Sequence, residues 1–188
     1  MHEMESSNLE GQLLKDAAHE VPPFGAESIK LARDEGPKAT PVLMRHIKAG
    51  KTTALLALEA LREADFESYD SIPPSERVEI YARALKNSNY YNAWGLPGHQ
   101  LTATARALIA LKVAAIPSLQ SLLADRRSAP LEGSQDATTS AMYRNRVCDY
   151  AWIFLAEIKN QHYEYSQSPE VRDAAIEAMR KQLEAETN

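Results

Sequence analysis

The segment between Glu132 and Asp149 carries residue types that bind polar or charged ligands. Its carboxylate, phenol and guanidinium groups belong to Glu132, Asp136, Tyr143, Arg144, Arg146 and Asp149. On a helix, Arg146 and Asp149 are three residues apart and can face each other, while Tyr143 and Arg146 share a face. Such a set can hold a polar ligand or a partner's charged tail. It can equally pin a long loop onto the helices by satisfying the loop's backbone groups, and the sequence leaves both interpretations open.

Aromatic residues form a second candidate surface in the irregular stretch 87–99. They are Tyr90, Tyr91 and Trp94. Aromatic rings in such a segment can stack on a ligand or anchor a protein partner. Alternatively, Tyr91 and Trp94 fold back and fill the gap between adjacent helical repeats, and the sequence favours this second interpretation.

Two patterns that suggest nucleotide binding or catalysis are incomplete. Gly50-Lys51-Thr52 resembles the end of a phosphate-binding loop, but that motif needs a glycine where Arg45 stands. It also needs a buried strand upstream, and here an amphipathic helix precedes it. Cys148 lies in the most apolar helical segment, which favours a buried structural thiol over a nucleophile. The sequence therefore predicts no catalytic and no cofactor-binding residue.

Two His-Glu dipeptides could suggest a metal site. They stand at positions 2–3 and 19–20, in the poorly patterned start of the chain, and no second histidine follows at helical spacing. The remaining histidines are scattered along the chain. Because a metal site needs several ligands brought together, the sequence predicts none.

The elements that must position these residues are helices. Leucines at helical spacing mark a helix over Thr53–Leu61, and the most apolar helix runs over Arg146–Ile158. Ser168 is a predicted N-cap, with Pro169 at the first position of a final amphipathic helix. No alternating run bounded by turn residues makes a convincing strand, so the predicted fold class is all-α. The irregular connections fall at 65–74, 87–99 and 125–141.

One short segment resembles a known helical repeat. Ala115-Ile116-Pro117-Ser118-Leu119 is similar to the opening of the first helix of a HEAT-type repeat, and Ala39-Thr40-Pro41-Val42-Leu43 is a weaker copy. Their prolines are spaced by close to two of the roughly 40-residue periods of such repeats. The resemblance covers residues 37 to 160. It implies a short α-solenoid of about three HEAT-like helical hairpins with flanking N- and C-terminal helices.

Composition limits the classes of partner. The 188 residues carry a formal net charge of −5, and no run of Lys or Arg forms the basic footprint that nucleic acids require. No stretch approaches the roughly 20 apolar residues of a membrane-spanning helix. The single cysteine, together with a polar start lacking a signal-peptide core, favours the cytoplasm. A periplasmic or secreted protein remains an alternative if a signal peptide was removed.

These observations predict a partly ordered N-terminal segment over residues 1–26 and one helical-repeat domain over 27–188. The predicted function is a soluble, non-catalytic protein–protein interaction or scaffold domain, with another protein as its partner and no cofactor. The alternative is an enzyme or small-ligand-binding protein whose polar site is formed by the segments 87–99 and 125–149, because long structured loops often carry function. The sequence leaves the oligomeric state open.

Overall fold

The chain is mostly helical, as the sequence predicts. The computed structural model describes residues 2–88, 91–131 and 135–187. Contacts between residues divide the chain into two compact units, Met1–Tyr81 and Ala82–Asn188. The division falls within a helix, whereas the sequence predicts a boundary after residue 26. The N-terminal segment contains a helix, which packs within the first unit.

The first unit is built from helices joined by short turns. They are α1 (His2–Ala18), α2 (Glu27–Glu35), α3 (Thr40–Ala49), α4 (Ala54–Ala64), α5 (Phe66–Ser71) and α6 (Pro74–Asn87), the last of which continues into the second unit. Short 3-10 helices at Pro23–Gly25 and Gly36–Ala39 lie between α1, α2 and α3. The core forms around α4, which packs against α2 and α3 and buries its leucine-rich face.

Local sequence signals explain where these helices begin and end. Pro41 lies in the first turn of α3, as predicted, where its missing N–H removes no helical hydrogen bond. Gly50 ends α3 in the left-handed conformation, at a φ of 61°. The predicted loop 65–74 instead contains α5, because the Asp65 side chain caps this short helix by accepting the Ser68 N–H at 3.1 Å.

The second unit adds a small hairpin to its helices. Its elements are β1 (Gly95–Leu96), β2 (Gln100–Leu101), α7 (Ala103–Ile109), α8 (Ile116–Leu122), α9 (Gln135–Tyr143), α10 (Val147–Ile158) and α11 (Pro169–Thr187), with a 3-10 helix at Lys112–Ala115 before α8. Almost every residue of α10 is buried, and this helix packs against α7, α8 and α11. The predicted helix over 146–158 is therefore confirmed, with Arg146 at its N-cap.

Two elements of the second unit differ from the prediction. The sequence predicts no strand, yet β1 and β2 form an antiparallel pair. The pair is too short to show alternation, and it depends on Gly95 and Gly98, whose φ values of 84° and 76° suit glycine. In addition, α9 occupies part of the connection predicted over 125–141. The earlier part of that connection lies alongside the start of α10, where Ala129 N–H donates to the Asn145 carbonyl at 2.8 Å.

Helix length and apolarity also bear on membrane crossing. Among the described residues, no single helix is long and apolar enough to cross a membrane. Residues 103–109 and 112–122 together reach that length and composition only across a bend of 98°.

Candidate functional site

The predicted pairing of Arg146 with Asp149 is confirmed. Arg146 precedes α10 and its own backbone N–H donates to Asp149 Oδ2 at 2.8 Å, which closes the first turn. Its guanidinium also donates to the same carboxylate, with Nη2 2.9 Å from Oδ1 and Nε 3.1 Å from Oδ2. Asp149 is fully buried, so these charge-assisted hydrogen bonds replace the water that the carboxylate loses.

A second arginine completes this cluster from a distant helix. Arg172 of α11 is fully buried, and its Nε and Nη2 lie 3.0 and 3.2 Å from the two Asp149 carboxylate oxygens. Its remaining N–H groups donate to backbone carbonyls of Tyr143, Arg144, Ser166 and Gln167. The Asp149–Arg172 pair thus joins α10 to the end of α9 and to the segment before α11.

Sequence reasoning missed Arg172 because no local pattern marks it. It stands 23 residues after Asp149 in a helix with ordinary amphipathic character. A five-donor guanidinium can satisfy several carbonyls that have no helical partner, but only the fold places those carbonyls around one side chain.

The arginines of this cluster share two aspartates. Arg146 also pairs with Asp173 at 2.8 Å, and Asp173 contacts Arg126 as well. Both Asp149 oxygens already accept hydrogen bonds from two arginines. The carboxylate therefore serves as an internal joint and is not exposed to a ligand.

Tyr143 and Arg146 do not share a helical face, contrary to the prediction. Arg144 has a φ of 50°, in the left-handed region, and this conformation ends α9 at Tyr143 before α10 begins. Arg146 instead has extended backbone at the N-cap of α10. The two residues consequently belong to different helices.

Tyr143 lies between two other aromatic rings, which the sequence did not identify as partners. The His99 ring meets it edge-on at 5.3 Å, and the Tyr165 ring stacks on it at 5.4 Å. Tyr143 is half-buried, while His99 and the neighbouring Arg144 are exposed. We call His99, Tyr143, Arg144 and Tyr165 the Tyr143 surface.

Tyr165 is the best-anchored member of the Tyr143 surface. Its hydroxyl donates to Asn145 Oδ1 at 2.6 Å, and the Arg172 guanidinium lies over its ring at 5.0 Å. Burial, and then the charge of Asp149, raise the pKa of Tyr165 well above its usual value, so the phenol stays neutral. Gly98 allows the hairpin to approach this ring, because a Cβ at Gly98 would lie 2.2 Å from Tyr165 Cβ.

Tyr91 and Trp94 belong to the core of the second unit. Both are buried; Tyr91 stacks on Tyr150 of α10 at 5.4 Å and Trp94 lies 5.9 Å from the Phe154 ring. This position corresponds to the interpretation that the sequence favours, in which the rings fill space between helices. Tyr150 further fixes the hairpin by donating its hydroxyl to the Gly95 carbonyl at 2.9 Å.

Three predicted site residues cannot be placed in this geometry. Tyr90 and Glu132 lie outside the described residues, as does the side chain of Asp136. The placed members of the predicted set are therefore divided between an internal joint, the Tyr143 surface and the core.

The chain's one thiol and its possible metal ligands occupy the following positions. Cys148 is buried, as predicted, and burial followed by the charge of Asp149 raises the pKa of its thiol. Within the part of the chain that the structure describes, no group of three or more His, Cys, Asp or Glu side chains is arranged to hold a metal ion.

Comparison with protein-family models, with curated protein sequences and with solved structures finds no match to this chain. A functional assignment consequently depends on the geometry of its own residues.

Proposed function

We propose that this chain is a non-catalytic protein-binding module and that the Tyr143 surface contacts its partner. The observation that carries the proposal is the half-buried Tyr143 ring, held between His99 and Tyr165 beside the exposed Arg144. Tyrosine and arginine are among the side chains that most often dominate the binding energy of protein interfaces.

The backbone beneath this surface supports the proposal because it is held in one conformation. The buried Arg172 donates to the carbonyls of Tyr143 and Arg144, at 2.8 and 3.4 Å. A surface whose side chains are already oriented loses less conformational entropy when a partner binds.

The partner that fits this surface is a protein and not a nucleic acid. Arg146 and Arg172 pair with Asp149 and Asp173, and the chain as a whole carries a net charge of −5. Arg144 makes no ion pair within 4 Å of a described residue, so its guanidinium can bind a partner's carboxylate or carbonyl. A net charge of −5 does not favour binding along a phosphate backbone.

The HEAT-like arrangement is part of the same proposal. Within the first unit, α3 and α4 pack as consecutive helices, and within the second, α8 packs against α10. In helical-repeat proteins such pairs stack and present broad surfaces, which suits a scaffold whose role is to bind other proteins.

Site-specific photo-crosslinking tests the proposal. A photoreactive amino acid replaces the exposed His99 in one sample and the 71% exposed Lys181 of α11 in the other. We expect a covalent adduct with one defined protein from position 99 and none from position 181, because only the former lies on the Tyr143 surface. Equal adducts from both positions, or none from position 99, would contradict the proposal.

The affinity of the purified crosslinked partner gives the quantitative test. Tyr143→Ala removes the central ring and should weaken binding by roughly ten- to one-hundredfold, as expected for a hot-spot aromatic residue. Lys181→Glu is the control, since it reverses a charge on the same unit away from the proposed surface. An unchanged dissociation constant for Tyr143→Ala would exclude the Tyr143 surface as the interface.

A further inference from the structure

The exposed side of α3 carries only positive charge. No Asp or Glu occurs between Glu35 and Glu59, an interval that includes α3 and the turns at both of its ends. In the first unit as a whole, acidic residues outnumber basic residues by 15 to 9 up to Tyr81. The interval nevertheless contains four exposed basic residues, which we call the α3 basic surface: Lys38, Arg45, Lys48 and Lys51.

The packing of α3 determines which of its sides faces outward. Its buried residues are apolar, and the helix packs mainly against α4. They are Val42, Leu43 and Ile47. Arg45 and Lys48 are three residues apart and lie on one face, opposite this apolar side. Lys38 lies in the 3-10 helix before α3, and Lys51 lies in the turn after it. Because α3 has 10 residues, the α3 basic surface is about 15 Å long.

The charges of this surface are poorly compensated within the protein. Its three lysines make no ion pair within 4 Å of any side chain that the structure describes, whereas lysines elsewhere do. Arg45 lies 3.5 Å from Glu10 of α1, and the two side chains are 60% and 36% exposed. Water weakens an ion pair as exposed as this one. Most of the positive charge is therefore directed at the solvent.

The dipole of α3 explains only part of this pattern. The negative end of a helix favours cations in its last turn, where Lys48 lies. Lys38 lies at the opposite end of α3, where the same dipole disfavours a cation. Stabilisation of the helix consequently does not account for a surface that is basic along its whole length.

A short acidic peptide fits this surface better than a nucleic acid does. Between the cations, the exposed uncharged residues are Pro41, Ala49 and Thr52, so no aromatic ring is present on which a base could stack. A nucleic acid longer than the surface would also meet the acidic remainder of the first unit. A short peptide covers the cations alone.

We propose that the α3 basic surface binds an acidic segment of a partner protein. An extended chain covers about 15 Å with roughly five residues, so a segment of about this length with several Asp or Glu side chains reaches from one end of α3 to the other. The flexible lysine side chains adjust to the positions of the carboxylates. Such binding is electrostatic and weakens as salt is added.

Fluorescence anisotropy with a labelled hexaglutamate peptide tests the proposal on the full chain. Hexaglutamine, which has the same length and no side-chain charge, is the reference peptide. Single exposed ion pairs are weak, but several together should make hexaglutamate bind at least about tenfold more tightly than hexaglutamine at low salt. Raising the salt concentration to about 0.5 M should remove most of this difference.

Two triple variants separate this surface from the overall charge of the chain. Each variant removes three positive charges and keeps the helix propensity of the replaced residues nearly unchanged. The substitutions on the surface are Lys38→Gln, Lys48→Gln and Lys51→Gln. Those of the control, at exposed lysines away from α3, are Lys15→Gln, Lys30→Gln and Lys181→Gln. The surface variant should lose at least about tenfold in affinity for hexaglutamate and the control less than about twofold.

Backbone amide chemical shifts locate the bound peptide on the wild-type chain, so the test does not depend on the folding of a variant. Hexaglutamate should shift amides within residues 38–52. Equal binding of the two peptides, equal losses in the two variants, or shifts centred outside α3 would overturn the proposal. Tighter binding of a six-nucleotide single-stranded DNA than of hexaglutamate would also overturn it, because the surface would then fit a nucleic acid. The Tyr143 surface lies on the second unit, so each proposal can fail without the other.

Discussion

Each unit of the chain contains a buried carboxylate, and the two carboxylates differ in what their partners hold together. Glu59 of the first unit accepts hydrogen bonds from the Tyr81 hydroxyl at 2.6 Å and from Arg62 Nη2 at 3.0 Å. The Tyr81 hydroxyl lies 3.3 Å from that of Tyr69. These contacts of Glu59 link side chains on regular helices whose backbones already satisfy their own hydrogen bonds.

In the second unit, the arginine that pairs with Asp149 also contacts backbone groups of other segments. Arg172 binds the carboxylate and also donates to carbonyls at the end of α9 and in the segment before α11. Those carbonyls lie outside helix interiors and need a donor from elsewhere. A buried ion pair is therefore a local contact in the first unit, while in the second it holds irregular backbone from several elements.

Substitutions in the two networks should differ most in their cost to stability. Arg172→Met leaves Asp149 with one arginine and removes the donors to several carbonyls, so it should lower the free energy of unfolding by about 3–5 kcal/mol. Glu59→Gln keeps an acceptor for Tyr81 and leaves Arg62 near Glu63, so about 1 kcal/mol is expected. Urea unfolding, with hydrogen exchange of α10 and α4 amides to assign each loss to its unit, makes the measurement. Equal losses in the free energy of unfolding from both variants would show that the two carboxylate networks do not differ in their contribution to stability.

One glycine in each unit can be replaced by alanine, with a moderate expected cost to stability. Gly98 and Gly36 have positive φ values of 76° and 60°, so alanine strains the backbone at either position. A Cβ at Gly98 would also collide with Tyr165, whereas nothing lies within 4 Å of one at Gly36. Gly98→Ala should therefore cost about 2–4 kcal/mol and Gly36→Ala about 1–2 kcal/mol.

Thermal or urea unfolding of the two alanine variants measures these costs. Near-ultraviolet circular dichroism should change only in Gly98→Ala, because only that substitution displaces stacked aromatic rings. If Gly36→Ala proved the more costly of the two, the close approach of the hairpin to Tyr165 would not be a determinant of stability.

The smallest effect concerns alkaline pH. Burial, and then a hydrogen bond to Glu157, raise the pKa of Tyr163 to about 12. A group whose pKa is raised in the folded state stabilises it fully below the unfolded value, near 10 for tyrosine, and loses that contribution as pH rises through the folded value. Because Tyr163 is partly exposed, we expect only about 1 kcal/mol.

In Tyr163→Phe, the free energy of unfolding of the second unit should therefore fall less steeply between about pH 10 and about pH 12. Urea unfolding across this range measures the slope, with α10 amide exchange to assign it. Tyr81 of the first unit also has its pKa raised, by burial and then by Glu59. The slope for the first unit should consequently remain in the variant, and its disappearance would show that the effect is not local to Tyr163.

Features set by neighbouring residues could be predicted from the sequence. Ser168 and Pro169 opened α11 as expected, with the Val171 N–H 3.4 Å from Ser168 Oγ. The pairing of Arg146 with Asp149 and the burial of Cys148 were also predicted correctly. Each of these depends on spacing within one helix or one turn, where residue type and geometry are directly related.

Features that depend on distant residues could not be predicted. His99 reaches Tyr143 because of a hairpin too short to show strand periodicity, and Arg172 reaches Asp149 across 23 positions. Arg144 adopts a left-handed conformation, which separates Tyr143 from Arg146. This conformation is uncommon for residues other than glycine, so the sequence does not indicate it. The Tyr143 surface therefore emerges only from the fold.

We propose that the Asp149–Arg172 joint is structural while the exposed Arg144 beside it binds the partner. Arg144→Glu separates these two roles, with the partner's dissociation constant and the free energy of unfolding measured on the same sample. We expect a loss of affinity of at least about tenfold and a change in stability within about 0.5 kcal/mol, as for an exposed residue. Unchanged affinity together with a loss of stability above about 2 kcal/mol would contradict it, because Arg144 would then belong to the structural joint.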